Sequence, residues 1–447
     1  MPPPRPRERA GQAARIPRHD AMQDTSTIDI DLSAIDHNMS VLRRIVGPTC
    51  ALCPIVKADA YGLGVGRVAR RLVGAGAEML AVYSLRQAIE TAAAVNAATP
   101  VLVLMPVTRI EREDELVRLM LAGQLHLVVH DEANLAALEA CAEELGVELP
   151  VHVEVDVGMS RGGALPDEAV RIIRGIARGS RLSLRGVFAH FSHARSDARV
   201  TAHQLERYDH VIAASRGFMS ADVYQHVAST YALARDARYH RTMVRFGLAW
   251  LGYGLDELES APHAVLARED LKPVVRWTTS VVQAKSVPAG TAVGYGGRWI
   301  APRTSTIALL PVGYSDGYPV GRPSPSGAGT CVRLFTPDGR VAHAPVVGAV
   351  NMDQLTVDVT GLHAGDIHDW IGCGVELISR DIHAPTHLSR LAAEAGIIPH
   401  ELLTRLNPRI VRTTSITANV LSTEAEGLVR GPSDATWEPT RLNSAAG

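Results

Sequence analysis

The chain has 447 residues, 46% of them apolar and 21% charged, and its 45 Lys+Arg against 47 Asp+Glu leave a formal charge of −2. That length suits two or three domains, or one large barrel with a smaller partner, and the composition excludes wholesale disorder. Balanced charge and an aromatic content of 4% exclude nucleic acid or anionic lipid held by a global field or by stacking rings.

Residues 1–26, rich in Pro and Arg, lack an apolar stretch that could serve as a signal peptide and read as a flexible arm. Ile28-Asp29-Ile30-Asp31-Leu32 alternates with the period of a half-buried strand, and Ser33 is placed to cap a helix through Ile35, Met39, Leu42 and Val46. Short Val/Leu-rich runs then recur at 51–56, 79–82, 101–105, 125–129, 151–155, 184–189, 223–228 and 248–252, with helical patterns between them. Eight such runs suit strands buried on both faces. Their alternation with helices fits either an open doubly wound sheet or a barrel. The strand count favours an α/β fold with an N-terminal (β/α)8 barrel over 27–271. From 272 the texture changes to strand-like runs divided by Gly, Pro and Asp turns, which predicts a mainly β domain over 272–425. The strand at 27–32 could join that domain or lead into the barrel. Residues 426–447 read as a loose tail.

The five cysteines, at 50, 53, 141, 331 and 373, form no disulfide framework and fit a reducing compartment. With no run of about 18 apolar residues to cross a membrane, a cytoplasmic protein is expected. Cys50-x-x-Cys53 has no second pair and reads as two buried thiols. His126/His130 and His190/His193 lack companions at ligand spacing, so no metal site is expected. Gly313-Tyr314-Ser315-Asp316-Gly317 matches the hydrolase elbow, but Pro319 opposes the helix that elbow needs. Gly62, Gly64 and Gly66 mimic a dinucleotide loop without the acidic residue on a second strand.

Val56-Lys57-Ala58-Asp59-Ala60-Tyr61-Gly62 is the strongest local feature, because Lys57 stands at the C-terminal end of the first barrel strand, where barrel active sites lie. Apolar residues precede it, and desolvation favours the neutral amine that a Schiff base or general base requires. The segment resembles the cofactor-lysine motif of the alanine racemase family. Further segments fall in the same order: Asp156 to Gly163, Ala189-His190-Phe191, Met243 to Leu248, Val293-Gly294-Tyr295-Gly296, Leu310 to Pro319, and Val350 to Gln354.

What the resemblance implies is a homodimeric pyridoxal 5′-phosphate enzyme that interconverts L- and D-alanine, with active sites shared between subunits. Lys57 would carry the cofactor and act as one acid–base group, and Tyr295 from the neighbouring subunit would act on the opposite face of the substrate Cα. Two groups are needed because racemisation removes a proton on one face and returns it on the other. A His190–Arg245 network would stand behind Tyr295. Arg245 would face the pyridine nitrogen and, staying protonated, leave that nitrogen unprotonated, which limits carbanion lifetime and suppresses transamination. Arg161 and the Met352 backbone N–H would bind the substrate carboxylate. Tyr61, Gly247 and Leu248 would hold the phosphate, with Ser229 or Thr230.

Three departures from the family pattern stand out. Glu154 replaces a lysine often modified to a carbamate, and is expected to pair with Arg161. Ala228-Ser229-Thr230 replaces Ala-Asn-Ser, which leaves open which hydroxyl meets phosphate. His400 replaces a tyrosine at the substrate entrance, so a broader racemase acting on serine or basic amino acids is the alternative. A decarboxylase on the same barrel lacks its cysteine and is opposed by Arg245. A zinc-assisted lyase lacks ligand spacing among Cys373, His383 and His387.

Overall fold

The computed structural model describes residues 24–255, 264–320 and 330–416. The arm before residue 24 and the tail after 416 lie outside the described residues. The first strand is β1 (Thr27–Asp31), followed by β2 (Ala51–Pro54), β3 (Leu80–Val82), β4 (Val101–Val103) and β5 (Leu125–Val129). Next come β6 (Leu149–Val155), β7 (Leu182–Ala189), β8 (Tyr224–His226) and β9 (Met243–Phe246). Strands β3 to β8 form one parallel sheet in sequence order, and β9 pairs in parallel with β2. An Ile55–Ala81 bridge links β2 to β3, while Thr242 N–H to Gln225 C=O (3.1 Å) and Arg245 N–H to Ala228 C=O (3.0 Å) link β9 to β8. The eight strands therefore close into the predicted barrel. Every residue of β3, β4, β5 and β6 is buried, as parallel strands covered on both faces require.

The eighth strand differs from the sequence reading. The run at 248–252 is a short helix, Leu248–Leu251, and the strand is Met243–Phe246 just before it. Both segments are fully buried, Arg245 interrupts the apolar run of the true strand, and periodicity cannot separate an apolar buried helical turn from a buried strand.

The C-terminal strands are β10 (Val275–Ser280), β11 (Gln283–Val287), β12 (Ala292–Val293), β13 (Trp299–Ile300), β14 (Ser305–Leu310), β15 (Cys331–Phe335), β16 (Val341–Val347), β17 (Leu355–Asp358), β18 (Gly374–Ile378) and β19 (Val411–Ser415). Nine strands make a mixed sheet in the order β11-β14-β17-β16-β15-β18-β10-β1-β19. So β1 joins the C-terminal sheet, antiparallel to β10 and parallel to β19, and its chain then runs into the barrel. Its acidic face is buried rather than solvated. Asp29 receives Arg380 at 2.9 Å, Arg276 at 3.4 Å and the Ser415 hydroxyl at 2.9 Å. Asp31, not Ser33, caps the helix Leu32–Val46, accepting the N–H groups of Ser33 (2.9 Å) and Ala34 (3.1 Å). No helix among the described residues is long and apolar enough to cross a membrane.

Candidate active site

Lys57 follows β2 after Ile55 and Val56. The next four residues, Ala58, Asp59, Ala60 and Tyr61, all hold left-handed backbone angles, with φ between 53° and 59°. For L-residues this conformation costs roughly 1–2 kcal/mol each, so the surroundings must impose it. The Asp59 carboxylate accepts the Val65 N–H at 2.6 Å, and the Arg412 guanidinium donates to the Gly62 carbonyl at 3.1 Å. A Cβ on Gly62 would stand 3.3 Å from the Leu403 carbonyl, so the C-terminal helix Pro399–Arg405 presses on the turn. The strain turns Tyr61 inward, where its ring meets His400 (5.6 Å between centroids) and Trp250 (6.1 Å).

A cavity of about 440 Å³ opens at the C-terminal ends of the barrel strands. Lys57, Tyr61, Arg161, His190, Ser229, Thr230, Arg245, Gly247 and Leu248 all line it, together with His130, Glu154 and His400. Lys57 is its only lysine. Desolvation by the walls, then the positive charge of Arg161, hold the Lys57 ammonium below the ordinary lysine value. Burial, helped by Lys57, pushes His400 down to about 4.

Arg161 sits at the end of a loop pinned by one carboxylate. Asp156 Oδ1 accepts the N–H groups of Gly158 and Met159 at 2.9 Å and of Ser160 at 3.1 Å. The expected Glu154–Arg161 pair is not formed. Glu154 Oε2 instead meets His130 Nδ1 at 2.9 Å, because Glu154 lies on β6 and His130 directly follows the neighbouring strand β5. Arg161 has no acidic partner among the described residues, which leaves its charge available to the cavity.

Arg245 is buried and donates to His226 Nδ1 at 2.5 Å, to the His226 carbonyl at 2.8 Å and to the Ala189 carbonyl at 2.9 Å. Its guanidinium lies 4.6 Å from the Phe188 ring centroid, a cation–π contact. His226 is thus its ring partner, while His190 stands nearby without a hydrogen bond to it. Sequence reading missed His226; the signal was a polar residue inside the apolar run 223–228. Burial, then the charges of Arg245, Arg161 and Lys57, push His190 down to about 3. Burial and Arg245 hold His226 well below 6.5. Both rings are neutral when folded, yet titrate near ~6.5 when unfolded. The unfolded chain therefore binds more protons below that pH, and stability present above pH ~6.5 is lost as pH falls, by about 1.4 kcal/mol per pH unit for each ring. Melting temperature should drop between about pH 6.5 and 5, and a flat profile would contradict neutral burial.

One end of the cavity is shaped by an absent side chain. A Cβ on Gly247 would lie 2.3 Å from the Tyr61 hydroxyl, although the backbone there (φ −109°) would accept alanine. The Thr230 hydroxyl is engaged, accepting the Ala249 N–H at 3.2 Å. Ser229 lines the cavity beside it.

Tyr295 and Met352 do not reach the cavity of their own chain. They are 77% and 55% exposed, with Tyr314 also exposed. Tyr295 stands in the turn between β12 and β13, and the Val293 carbonyl would lie 2.9 Å from a Cβ on Gly348. Ser315 spends its hydroxyl on the Met352 carbonyl (2.8 Å) and Asp353 (2.8 Å), and Arg409 ties Asp316 to Asp353 at 2.9 and 3.1 Å. The elbow-like motif is thus a rigid support for the Met352 loop. Cys50 and Cys53 are free and buried, and burial raises their thiols to about 11 and about 12.

Comparison with known proteins is consistent along the chain. Residues 30–254 match the family model described as alanine racemase, N-terminal domain, and residues 274–414 match alanine racemase, C-terminal domain. An alanine racemase of Halothermothrix orenii is 31% identical over 389 residues, covering 86% of this chain and 95% of that protein. Among solved structures, the alanine racemase from Streptomyces coelicolor A3(2) is similar with a TM-score of 0.74 and 26% identity, over 87% of this chain and 98% of that one. The alanine racemase from Bartonella henselae, crystallised with covalently bound pyridoxal phosphate, shares the fold with a TM-score of 0.71 at 24% identity, over 88% and 99%.

Proposed function

The chain belongs to the alanine racemase family, and from that premise we propose that it interconverts L- and D-alanine with pyridoxal 5′-phosphate as its cofactor. The observation that carries the reading is one cavity lined by a single lysine of lowered basicity and two arginines that take no carboxylate partner among the described residues. A lysine of lowered basicity suits covalent attachment of an aldehyde cofactor, Arg161 suits a substrate carboxylate, and the missing Gly247 side chain lets the Tyr61 hydroxyl sit at the phosphate end.

Lys57 would hold the cofactor through its amine, and Arg245 would donate to the ring nitrogen. Tyr61, Gly247 and Leu248 would meet the phosphate with Ser229 or Thr230, whose hydroxyl accepts the Ala249 N–H and keeps its own O–H free to donate. When bound, the cofactor supplies an electron sink that makes the substrate Cα–H acidic. Arg161 would bind and orient the substrate carboxylate. The Lys57 amine would move a proton at one face of Cα, and the Tyr295 hydroxyl would move one at the other.

Tyr295 and Met352 must then come from a second copy. Their exposure, with that of Tyr314, and the bracing of the Met352 loop from behind support a dimer in which each subunit completes the other's cavity. Five free cysteines support a cytoplasmic enzyme.

The reading is tested by incubating the protein with L-alanine and pyridoxal phosphate in D₂O. D-alanine carrying Cα deuterium is the expected product. Deuterium entering L-alanine with no D-isomer would mean that the second proton donor does not reach this substrate. If neither appears, alanine is the wrong substrate, and serine, lysine and arginine are assayed next, since His400 lines the entrance.

Gly247→Ala gives a separate check on the phosphate end. The new methyl would push the Tyr61 hydroxyl aside, so cofactor affinity should fall at least about tenfold while the protein stays folded. Titration of the variant with pyridoxal phosphate, followed by absorbance, reads this directly.

A further inference from the structure

Arg245 is a buried cation without a carboxylate contact among the described residues, and what lies behind it is a row of histidines. His226 Nε2 is 2.9 Å from His152 Nδ1, and His152 Nε2 is 3.0 Å from His126 Nδ1. The Gly123 backbone lies near the His126 ring and favours a proton on it. The row crosses the barrel interior from β9 through β8 and β6 to β5. It passes β7 at Gly186, where a Cβ would stand 2.2 Å from His152 Nδ1 and 2.9 Å from His226 Nε2. Gly186 is needed for that space and not for its backbone angles, because its φ is outside the left-handed region.

We propose that His226, His152 and His126 form a proton-ordered ladder with one permitted direction, and that His126 is a remote positioning residue for Arg245. Arginine has donors only, so Arg245 must donate to His226 Nδ1. That leaves the His226 proton on Nε2, where it donates to His152 Nδ1. The same step repeats to His126, whose remaining N–H faces away from the row, on the side where the Gly123 backbone favours a proton. Reversing any ring would set two donors against each other at 2.5 to 3.0 Å. Nor can a ring gain a second proton cheaply, since all three are buried and the cations Arg245 and Arg185 face the row.

The consequence is electrostatic. A carboxylate behind Arg245 would cancel the positive field that Arg245 projects into the cavity. A neutral ladder instead satisfies its donors and aims acceptor nitrogens at it, which stabilises the cation without cancelling it. The ladder stands on the chain's own residues; its bearing on turnover rests on the racemase reading.

The test uses full-length protein labelled with ¹⁵N-histidine and loaded with pyridoxal phosphate, with the three rings assigned by single substitutions. Long-range ¹H–¹⁵N spectra should show all three as Nε2–H tautomers, unchanged from about pH 5.5 to 8.5. An Nδ1–H tautomer at any of them, or titration within that range, would overturn the ladder. His126 lies outside the cavity lining, so its variants separate positioning from contact. His126→Phe should mix the His152 tautomers, shift the Arg245 Nη proton signals and lower kcat about three- to tenfold, with KM changed less than about twofold. His126→Gln, which can still accept from His152, should restore the signals and most of kcat. Phe and Gln variants that behave alike would reduce His126 to packing and refute its role. If the tautomer pattern holds in a protein that racemises nothing, the ladder stands and the functional reading fails.

Discussion

Lys57→Ala is expected to abolish turnover and to remove the absorbance of the bound cofactor in the same step. Lys57 is the only lysine lining the cavity, so no second amine can take over the covalent attachment or the proton transfer. The loss should be at least about 10³-fold in kcat, because both nucleophilic and acid–base roles disappear together. The fold should survive. Strain in this region sits in residues 58–61 and is held by Asp59, Arg412 and the helix Pro399–Arg405, while Lys57 itself is outside the left-handed run. Unchanged melting with both signals gone would therefore locate the defect in the chemistry. A Lys57→Ala protein that kept the cofactor absorbance would show that another group carries it.

Tyr295→Phe should give the opposite signature: cofactor absorbance intact and turnover reduced by about 10²–10⁴-fold, the range for loss of a positioned acid–base group. The side chain is 77% exposed on its own chain, so removing one oxygen costs the isolated fold almost nothing. A mixing experiment sharpens this. In a dimer with shared sites, a hybrid of one Lys57→Ala and one Tyr295→Phe subunit contains one site with both groups intact and one with neither. Equal mixing of the two inactive variants, with subunit exchange, should restore about a quarter of wild-type activity. No recovery despite proven exchange would mean that both residues serve a site within one chain.

Lys57 at a strand end was legible from residues alone, since a short apolar run gives the strand and the barrel rule gives the functional end. The run at 248–252 was misread, because a fully buried helical turn and a buried strand share the same apolar pattern. Asp31 as the helix cap was missed because Ser33 offers the same chemistry two residues later, and only the backbone angles at Asp31 (φ −80°, ψ 104°) decide. Glu154 was assigned to Arg161 by motif, whereas the pairing of β5 with β6 brings His130 to it first.

Sequence by itself determined seven of the eight barrel strands, the change from alternating helices to a β domain, and the residue types that carry the chemistry. Those features are written locally, in periodicity and in short motifs whose meaning survives without neighbours. Tertiary structure alone decided which partner each polar group takes: His226 for Arg245, His130 for Glu154, Ala249 for Thr230. Hydrogen bonds and ion pairs depend on separations of about 3 Å between residues tens of positions apart, and only barrel closure sets those distances. Tyr295 and Met352, on loops of the β domain, face outward on their own chain.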